Sequence, residues 1–284
     1  MVAPLFHKMA QNAKRMAGNI TWFCICGTKA LWRGDERRSS SLAQKPPLPA
    51  IKSGYAKGMT TRLRSLFRLL MVTVAIVIML PLVLIPLYSA SPPISMLMVK
   101  DLFMLKGYDR RWVSYETIAP VAVYSVMMSE DARHCEHEGV DWIEMEKAWA
   151  SIRAGGKGRG ASTITMQTVK NLFLWNSRSF LRKAIEIPLA LYADLVWSKR
   201  RTLEIYLNIA EWGDGVYGIE AAARHYFNAP AAELNRQQAA LLAVTLPNPI
   251  ARNPARPTRG LNRLAQTIVA RTRAAEPYVE CLKS

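Results

Sequence analysis

Two acids stand side by side at the end of an apolar run. Val121-Ala122-Val123-Tyr124-Ser125-Val126-Met127-Met128 leads through Ser129 to Glu130 and Asp131. A carboxylate next to such a run is held toward its protonated form, because burial disfavours its charge. An acid tuned this way can take a proton from a hydroxyl near neutral pH. Further along come the hydroxyls of Ser162, Thr163 and Thr165, the amide of Gln167, the cations Lys170, Arg178 and Lys183, and a second acid, Glu186. Such cations match a pyrophosphate that departs with negative charge. A proton acceptor at one end and cations at the other fit the joining of two sugars with inversion, in which a base deprotonates the acceptor hydroxyl while the leaving group departs from the opposite face.

Taken singly, each feature has a plainer reading. A Glu-Asp pair often only caps or solvates a helix end, and spaced cations are usually a solvated face. His134, Glu136, His137 and Glu138 invite a zinc site, but His137-Glu138-Gly139-Val140-Asp141 fails the His-Glu-x-x-His pattern at its last position. Ala154-Gly155-Gly156-Lys157-Gly158-Arg159-Gly160 lacks the Gly-Lys-Ser/Thr ending of a phosphate-cradling loop and a strand before it, which argues against nucleotide binding. Gln167 and Lys170, three apart, share a helix face, as do Glu204 and Asn208, four apart.

The elements that must position these residues read as helices. Pro120 can open a helix through the apolar run, which places Glu130 and Asp131 at its end. Asp141 to Ile152 carries Trp142, Met145, Ala148, Trp149 and Ile152 at helical spacing, and the Gly-rich stretch after it suits a mobile loop over a cleft. Thr163 to Trp175, Phe180 to Trp197 (with Pro188 placed to bend it), Thr202 to Ala210, Gly218 to Phe227 and Ala231 to Val244 complete an all-α pattern, with no alternating strand signal to compete. The tail after Pro249 is basic and is expected to cover the domain surface.

Leu69 to Tyr88 contains no charge, and such a stretch of helix spans roughly 30 Å, the thickness of a bilayer's hydrocarbon core. Pro81 and Pro86 are placed to kink or shorten its outer end. The chain carries a net charge of +17, of which residues 1–68 hold +11, from 13 Lys and Arg against Asp35 and Glu36. That excess lies ahead of the apolar run, so it reads as a topology signal and not as a nucleic-acid face. Arg62, Arg64 and Arg68 put the N-terminus in the cytoplasm and everything after Ser89 outside. The expected organisation is a basic, disordered cytoplasmic tail (1–68), an uncleaved transmembrane anchor (69–88), a connecting segment (89–114), a catalytic domain (115–250) and a basic C-terminal tail (251–284). Met59-Thr60-Thr61-Arg62 resembles an ordinary start, which suggests that translation begins at Met59. Cys24 and Cys26 precede the apolar run while Cys135 and Cys281 follow it, so the four cysteines do not read as a disulfide framework; a Cys135–Cys281 bridge is left open for an oxidising compartment.

Glu130-Asp131-Ala132-Arg133-His134-Cys135-Glu136-His137-Glu138-Gly139, Gly160 to Asn171, Arg182 to Glu186, Arg201 to Asn208, and Val216 to Ala223 with Tyr226-Phe227 resemble, in order, the signatures of the bacterial peptidoglycan glycosyltransferases, glycosyltransferase family 51. The resemblance runs from about Pro120 to about Pro249, and the shortness of the chain resembles the monofunctional members. His134 and Val140 stand where the family usually has Phe, and Met166 replaces the first Gln of a Gln-Gln pair. The resemblance implies a lysozyme-like α-helical fold with a small mobile lobe near residues 142–182. It implies that Glu130 is the catalytic base and Asp131 its support. Gln167, Lys170 and Arg178 would fall on the donor-binding positions, and Glu186 would be the second catalytic acid, assisting at the donor phosphates or at a divalent cation, Mg or Mn; Asp131, Ser162, Thr163 and Lys183 are expected to bind substrate as well. His137, Glu204, Asn208 and Tyr217 would be supporting residues.

The implied substrates are lipid II and a glycan chain on undecaprenyl pyrophosphate. The implied setting is the bacterial inner membrane, with the catalytic domain in the periplasm beside other cell-wall synthesis proteins. The absence of Ser-x-x-Lys, with Lys52-Ser53-Gly54 on the cytoplasmic side, gives no expectation of transpeptidase activity. Rival readings are a lytic enzyme that cleaves glycan, which would need no pyrophosphate cations, and a non-catalytic membrane scaffold of wall assembly.

Overall fold

The computed structural model describes residues 54–156, 158, 160–175 and 179–283. The expectations for Cys24 and Cys26, and for the basic tail up to residue 53, fall outside that range. The unit described below is the one that runs from Lys57 onward.

Helix α1 spans Gly54–Leu87, and its stretch Thr61–Leu87, 27 residues, is long and apolar enough to cross a membrane. At 1.5 Å per residue that stretch is about 40 Å long. Leu66, Leu70, Val77 and Val83 are exposed on it, as a lipid-facing helix requires. Pro81 and Pro86 lie inside the helix, which runs on to Leu87. Its C-terminal end is docked. Tyr192 and Trp197 donate side-chain hydrogen bonds to the carbonyls of Leu82 and Ile85, and the Arg201 guanidinium donates to the carbonyls of Tyr88 and Ser91.

The segment expected only to connect is structured. Ser95 caps α2 (Met96–Phe103), and Asp109–Arg110 forms a short strand, β1. Helix α3 (Pro120–Glu130) follows, with proline at its first turn, then α4 (Trp142–Arg153), capped by the Asp141 carboxylate, and α5 (Ile164–Phe173), capped by Thr163. Helix α6 (Phe180–Val196) continues through Pro188, and α7 (Lys199–Ile209) is capped by Ser198. Strands β2 (Glu211–Gly213) and β3 (Val216–Tyr217) then pair antiparallel, and β1 joins β3 in parallel to give the order β1-β3-β2. The sheet went unread in the sequence because its strands are two or three residues long and one partner comes from far upstream. Helices α8 (Ile219–Phe227), α9 (Arg236–Thr245, with an Asn235/Gln238 capping box) and α10 (Arg259–Arg273) complete an all-α domain preceded by one apolar helix.

Two cores meet on α7. Leu203, Tyr206 and Leu207 join a core built on α3, α8, α9 and α10, while Ile205 and Ile209 join Met166, Val169, Ala190, Trp197 and the end of α1 at Ile85. Each fully buried Leu, Ile or Met contributes about 1.5–3 kcal/mol, so both faces of α7 fix it firmly. By contrast, α4 buries only Ala148 among its side chains and leaves Trp142, Ile143, Trp149 and Ile152 exposed.

One expectation is corrected, and a cysteine pairing left open is decided. Residues 259–273, read as part of a surface tail, form α10, which packs Leu261, Ala265, Ile268 and Val269 into the core against α3 and α9. Cys135 and Cys281 are disulfide-bonded, with Cα atoms 5.6 Å apart. Cysteine spacing does not reveal the pairing, because the fold and not the sequence brings the C-terminus beside the loop after α3.

Candidate active site

Helix α3 ends on Glu130, and its apolar side chains Val126, Met127 and Met128 are buried. The acid is therefore the last residue of a helix fixed in the core, with its carboxylate at the surface of a cleft. Burial pushes its pKa up, and hydrogen bonds from Gln167 and Ser129 together with the charges of Lys170 and Arg252 act in the opposite direction without cancelling the rise. Gln167 Nε2 donates to Glu130 Oε2 at 3.1 Å, and Tyr206 donates to Gln167 Oε1 at 3.0 Å. The Tyr206 hydroxyl, deprived of water, is held far above its usual range and stays a donor. Gln167, expected at the donor substrate, thus also holds the Glu130 carboxylate.

Asp131 is turned to a different task. Burial works to raise its pKa, but hydrogen bonds from His134 and His137 prevail and hold the carboxyl well below the usual range. His137 Nε2 lies 3.0 Å from Oδ1, His134 Nδ1 lies 3.3 Å from Oδ2, and the Ile164 N–H donates to Oδ2 at 2.9 Å. Asp131 therefore ties the loop after α3 to the first turn of α5. His134, at a position where Phe was expected by resemblance, is fully buried and reaches the Lys199 carbonyl with its other nitrogen. These three side chains place one potential ligand atom each within 4.8 Å of one another.

The loop continues to Gly139, whose backbone (φ +76°) passes so close to α6 that a Cβ would stand 2.5 Å from the Ala190 carbonyl oxygen. Thr163 Oγ1 donates to the Gly139 carbonyl at 2.6 Å and accepts from the Met166 N–H, so this hydroxyl is committed to structure. Ser162 is exposed and accepts from Lys183 Nζ at 3.1 Å.

Lys170 projects from α5 one turn after Gln167. Burial lowers its pKa, and the charges of Glu186 and Glu130 oppose that fall, so it stands within electrostatic reach of both acids. It lines a cavity of about 360 Å³ with Met96, Leu97, Lys100, Asn171, Leu174 and Trp175. Glu186 is buried, pairs with Lys183 at 3.0 Å and bonds Arg182 through its other oxygen. A single carboxylate bracketed by two cations is a poor donor set for Mg or Mn, which favour several oxygen ligands and net negative charge. Glu186 in this arrangement does not fit the divalent-cation site that the sequence left open. Arg178 lies outside the described residues.

The supporting residues hold neighbouring elements. Asn208 is buried and exchanges side-chain hydrogen bonds with the backbone of Val113. Glu204 pairs with Arg201, and Tyr217 donates to Asp101 on α2 at 2.7 Å. The cleft itself, about 270 Å³, is lined by Ser129 to Arg133, Asp141, Glu144, Gly160 to Thr163 and Arg271. A neighbouring cavity of about 230 Å³ shares Ser129, Glu130 and Arg271 and adds Arg252 and Thr267. Arg252 and Arg271 were not anticipated. The spacing of Leu261, Ala265, Ile268 and Val269 is that of one helix face, and would have shown that the tail folds back.

Against known proteins, the family model described as Transglycosylase matches residues 98–273. A biosynthetic peptidoglycan transglycosylase of Rhizobium meliloti is 58% identical over 221 residues, covering 77% of this chain and 94% of the relative. The protein of the same name from Agrobacterium fabrum is 57% identical, with coverages of 77% and 98%, and that from Brucella suis is 59% identical over 206 residues, with coverages of 72% and 92%.

Proposed function

Because this chain belongs to the transglycosylase family, we propose that it polymerises lipid II into glycan strands, inverting the transferred sugar and releasing undecaprenyl pyrophosphate. It is a glycosyltransferase of peptidoglycan synthesis, with one apolar helix fit to cross a membrane. The observation that carries the finer reading is the desolvated Glu130, held by Gln167 within reach of the charge of Lys170.

In this reading Glu130 removes the proton from the acceptor hydroxyl, and the inward-facing Gln167 keeps the carboxylate aimed. The departing pyrophosphate is neutralised by Lys170 and Lys183, with Arg178 expected to join them. Asp131 keeps the start of α5 against the loop that carries the base. Glu186 acts by holding Arg182 and Lys183 in place. The docking of α1 on α6 suits lipid-borne substrates, since a tethered enzyme meets them in two dimensions. The arginines at 62, 64 and 68 favour a cytoplasmic N-terminus and a periplasmic domain in the inner membrane, and the Cys135–Cys281 bond suits an oxidising compartment.

The test is polymer formation from purified lipid II by the full chain and by Glu130→Gln. The expected result is polymer from the wild type and a fall of at least about 100-fold in the variant. Shortening of pre-formed glycan by the wild type would favour a lytic enzyme, and no reaction at all would favour a scaffold.

A further inference from the structure

Three side chains in the loop after α3 turn toward one point. Asp131, His134 and His137 each bring one ligand atom within 4.8 Å of the others, and all three side chains are more than nine-tenths buried. We propose that they form a zinc site, which fastens this loop to α5 and α7. The inference goes beyond the polymerisation reading and does not rest on it.

The facing atoms lack a proton between them. The fully buried His134 points Nε2 at the Lys199 carbonyl, 3.4 Å away, and a carbonyl only accepts, so Nε2 carries a proton. In the neutral ring Nδ1 is then a bare lone pair. It lies 3.3 Å from Oδ2 of Asp131, which already accepts from the Ile164 N–H. Two buried acceptors need a positive species between them. A proton meets that need only by charging a ring that has no water, whereas a dication shared with a second imidazole leaves the ring neutral. His137 supplies the second imidazole, with Nε2 at 3.0 and 3.1 Å from the two Asp131 oxygens. Its Nδ1 is buried without a partner among the described residues, so no hydrogen bond on that side fixes the tautomer that keeps Nε2 protonated.

The geometry suits zinc. Tetrahedral zinc, with bonds of about 2.0–2.2 Å to nitrogen and oxygen, sets its ligands roughly 3.3 Å apart. The two histidine–aspartate separations, 3.0 and 3.3 Å, match that edge. Two imidazoles select zinc over the oxygen-seeking Mg and Ca. The fourth place falls to a water, with a route from the cleft that Asp131 lines. Nearby cations do not oppose the ion, since Lys199 pairs with Asp194 and Arg133 with Glu136. The outer contacts are also in place. The Lys199 carbonyl orients His134 and the Ile164 N–H orients Asp131, so an ion held here joins the loop to the first turns of α7 and α5. His134 stands where the family resemblance led to Phe, so this chain carries a ligand at a position where the usual residue offers none.

The test uses the full chain in detergent, with Cys24→Ser and Cys26→Ser as a common background, because those thiols are other soft donors. The protein is stripped with a chelator, dialysed against zinc sulfate and then against buffer. About one zinc per chain is expected by elemental analysis. X-ray absorption should show two imidazoles in a nitrogen and oxygen shell at about 2.0–2.2 Å, without sulfur. Zinc at about a hundredfold above its Kd should raise the melting temperature by about 5 °C or more, and magnesium at the same concentration should not. Losing the partner of a ligand weakens metal binding by about 10–100-fold, so losing a ligand in His134→Phe should weaken it about 100-fold or more and remove the thermal shift. That variant keeps the position filled by a ring. His137→Gln, a second route to the same loss, is expected to release the zinc as well.

Zinc retained equally by both variants, a shell without imidazole, a thermal shift that magnesium reproduces, or a chain that holds no zinc after dialysis would overturn the assignment. Each of these outcomes leaves the polymerisation reading untouched, which fails only if the wild type makes no polymer from lipid II.

Discussion

The amide of Gln167 stands between the carboxylate of Glu130 and the hydroxyl of Tyr206, donating to the first at 3.1 Å and accepting from the second at 3.0 Å. An ionised Glu130 carboxylate can only accept, so the amide's NH₂ group must face the acid, and its oxygen is left to accept from Tyr206. The base is thereby stabilised in its ionised form against the burial that opposes ionisation.

A pH shift follows. Glu130 must be ionised to accept a proton, so the acid limb of kcat/KM lies above the ordinary glutamate value. Gln167→Ala removes a bond that lowers this pKa, and the limb should move to higher pH by about one unit, the worth of one hydrogen bond to a charged group. Tyr206→Phe loosens the same amide and should move it less, in the same direction. A rate profile from pH 4 to 9 checks both, and a limb that moves to lower pH would contradict the relay.

Asp131 is expected to matter through stability. Asp131→Asn weakens bonds to His134, His137 and the Ile164 N–H, at roughly 1–3 kcal/mol for each buried partner left unsatisfied. The sign of the pH effect follows from a depressed folded-state pKa. The stabilisation is fully present above the unfolded value, about pH 4, and is lost as pH falls toward the folded value. Chemical denaturation of wild type and variant at pH 7 and pH 3 measures this, and the gap between them should narrow at the lower pH. A constant gap would mean that the aspartate's charge is not what stabilises the loop.

The acid at the end of α3 was legible because a local signal, an apolar run broken by Glu130, fixes both its position and its desolvation. The helices at the cleft were legible for the same reason, since Thr163 and Asp141 are capping residues set just before periodic segments. What escaped depends on which groups the folded chain turns toward one another. His134 and His137 lie three and six residues after Asp131, but their spacing does not announce that both face its oxygens, and the Ile164 N–H that joins them comes from α5. The resemblance makes Glu186 a second acid at the donor phosphates or a cation, and does not show that Arg182 and Lys183, one turn earlier on α6, pair with its two oxygens. Arg271 resembled one more charge in a basic tail, because its neighbours' apolar spacing was outweighed by composition.

The disulfide should contribute through the unfolded chain. Cys135 and Cys281 are separated by 146 residues, and closing so long a loop is worth roughly 2–5 kcal/mol. Cys135→Ser, or reduction of the wild type, should therefore lower the melting temperature by about 5 °C or more. Polymerisation at low temperature should fall as well, since the bond seats the end of the chain that carries α10 beside the loop after the base. A variant that melts like the wild type would show that packing alone holds this end of the molecule.

Gly139 offers a backbone test of how the two halves of the cleft are joined. Its φ of +76° and the 2.5 Å approach that a Cβ would make to the Ala190 carbonyl both oppose any side chain there. Gly139→Ala should cost roughly 2 kcal/mol or more from these two effects together. The damage should also reach chemistry, because Thr163 Oγ1 donates to the Gly139 carbonyl while capping α5, the helix that carries Gln167 and Lys170. If the loop shifts, that bond is the first to be strained, and the base and the cation lose their register. Melting temperature and kcat measured on the same sample should fall together, and a variant with full stability but lost activity, or the reverse, would mean that Gly139 serves only one of the two.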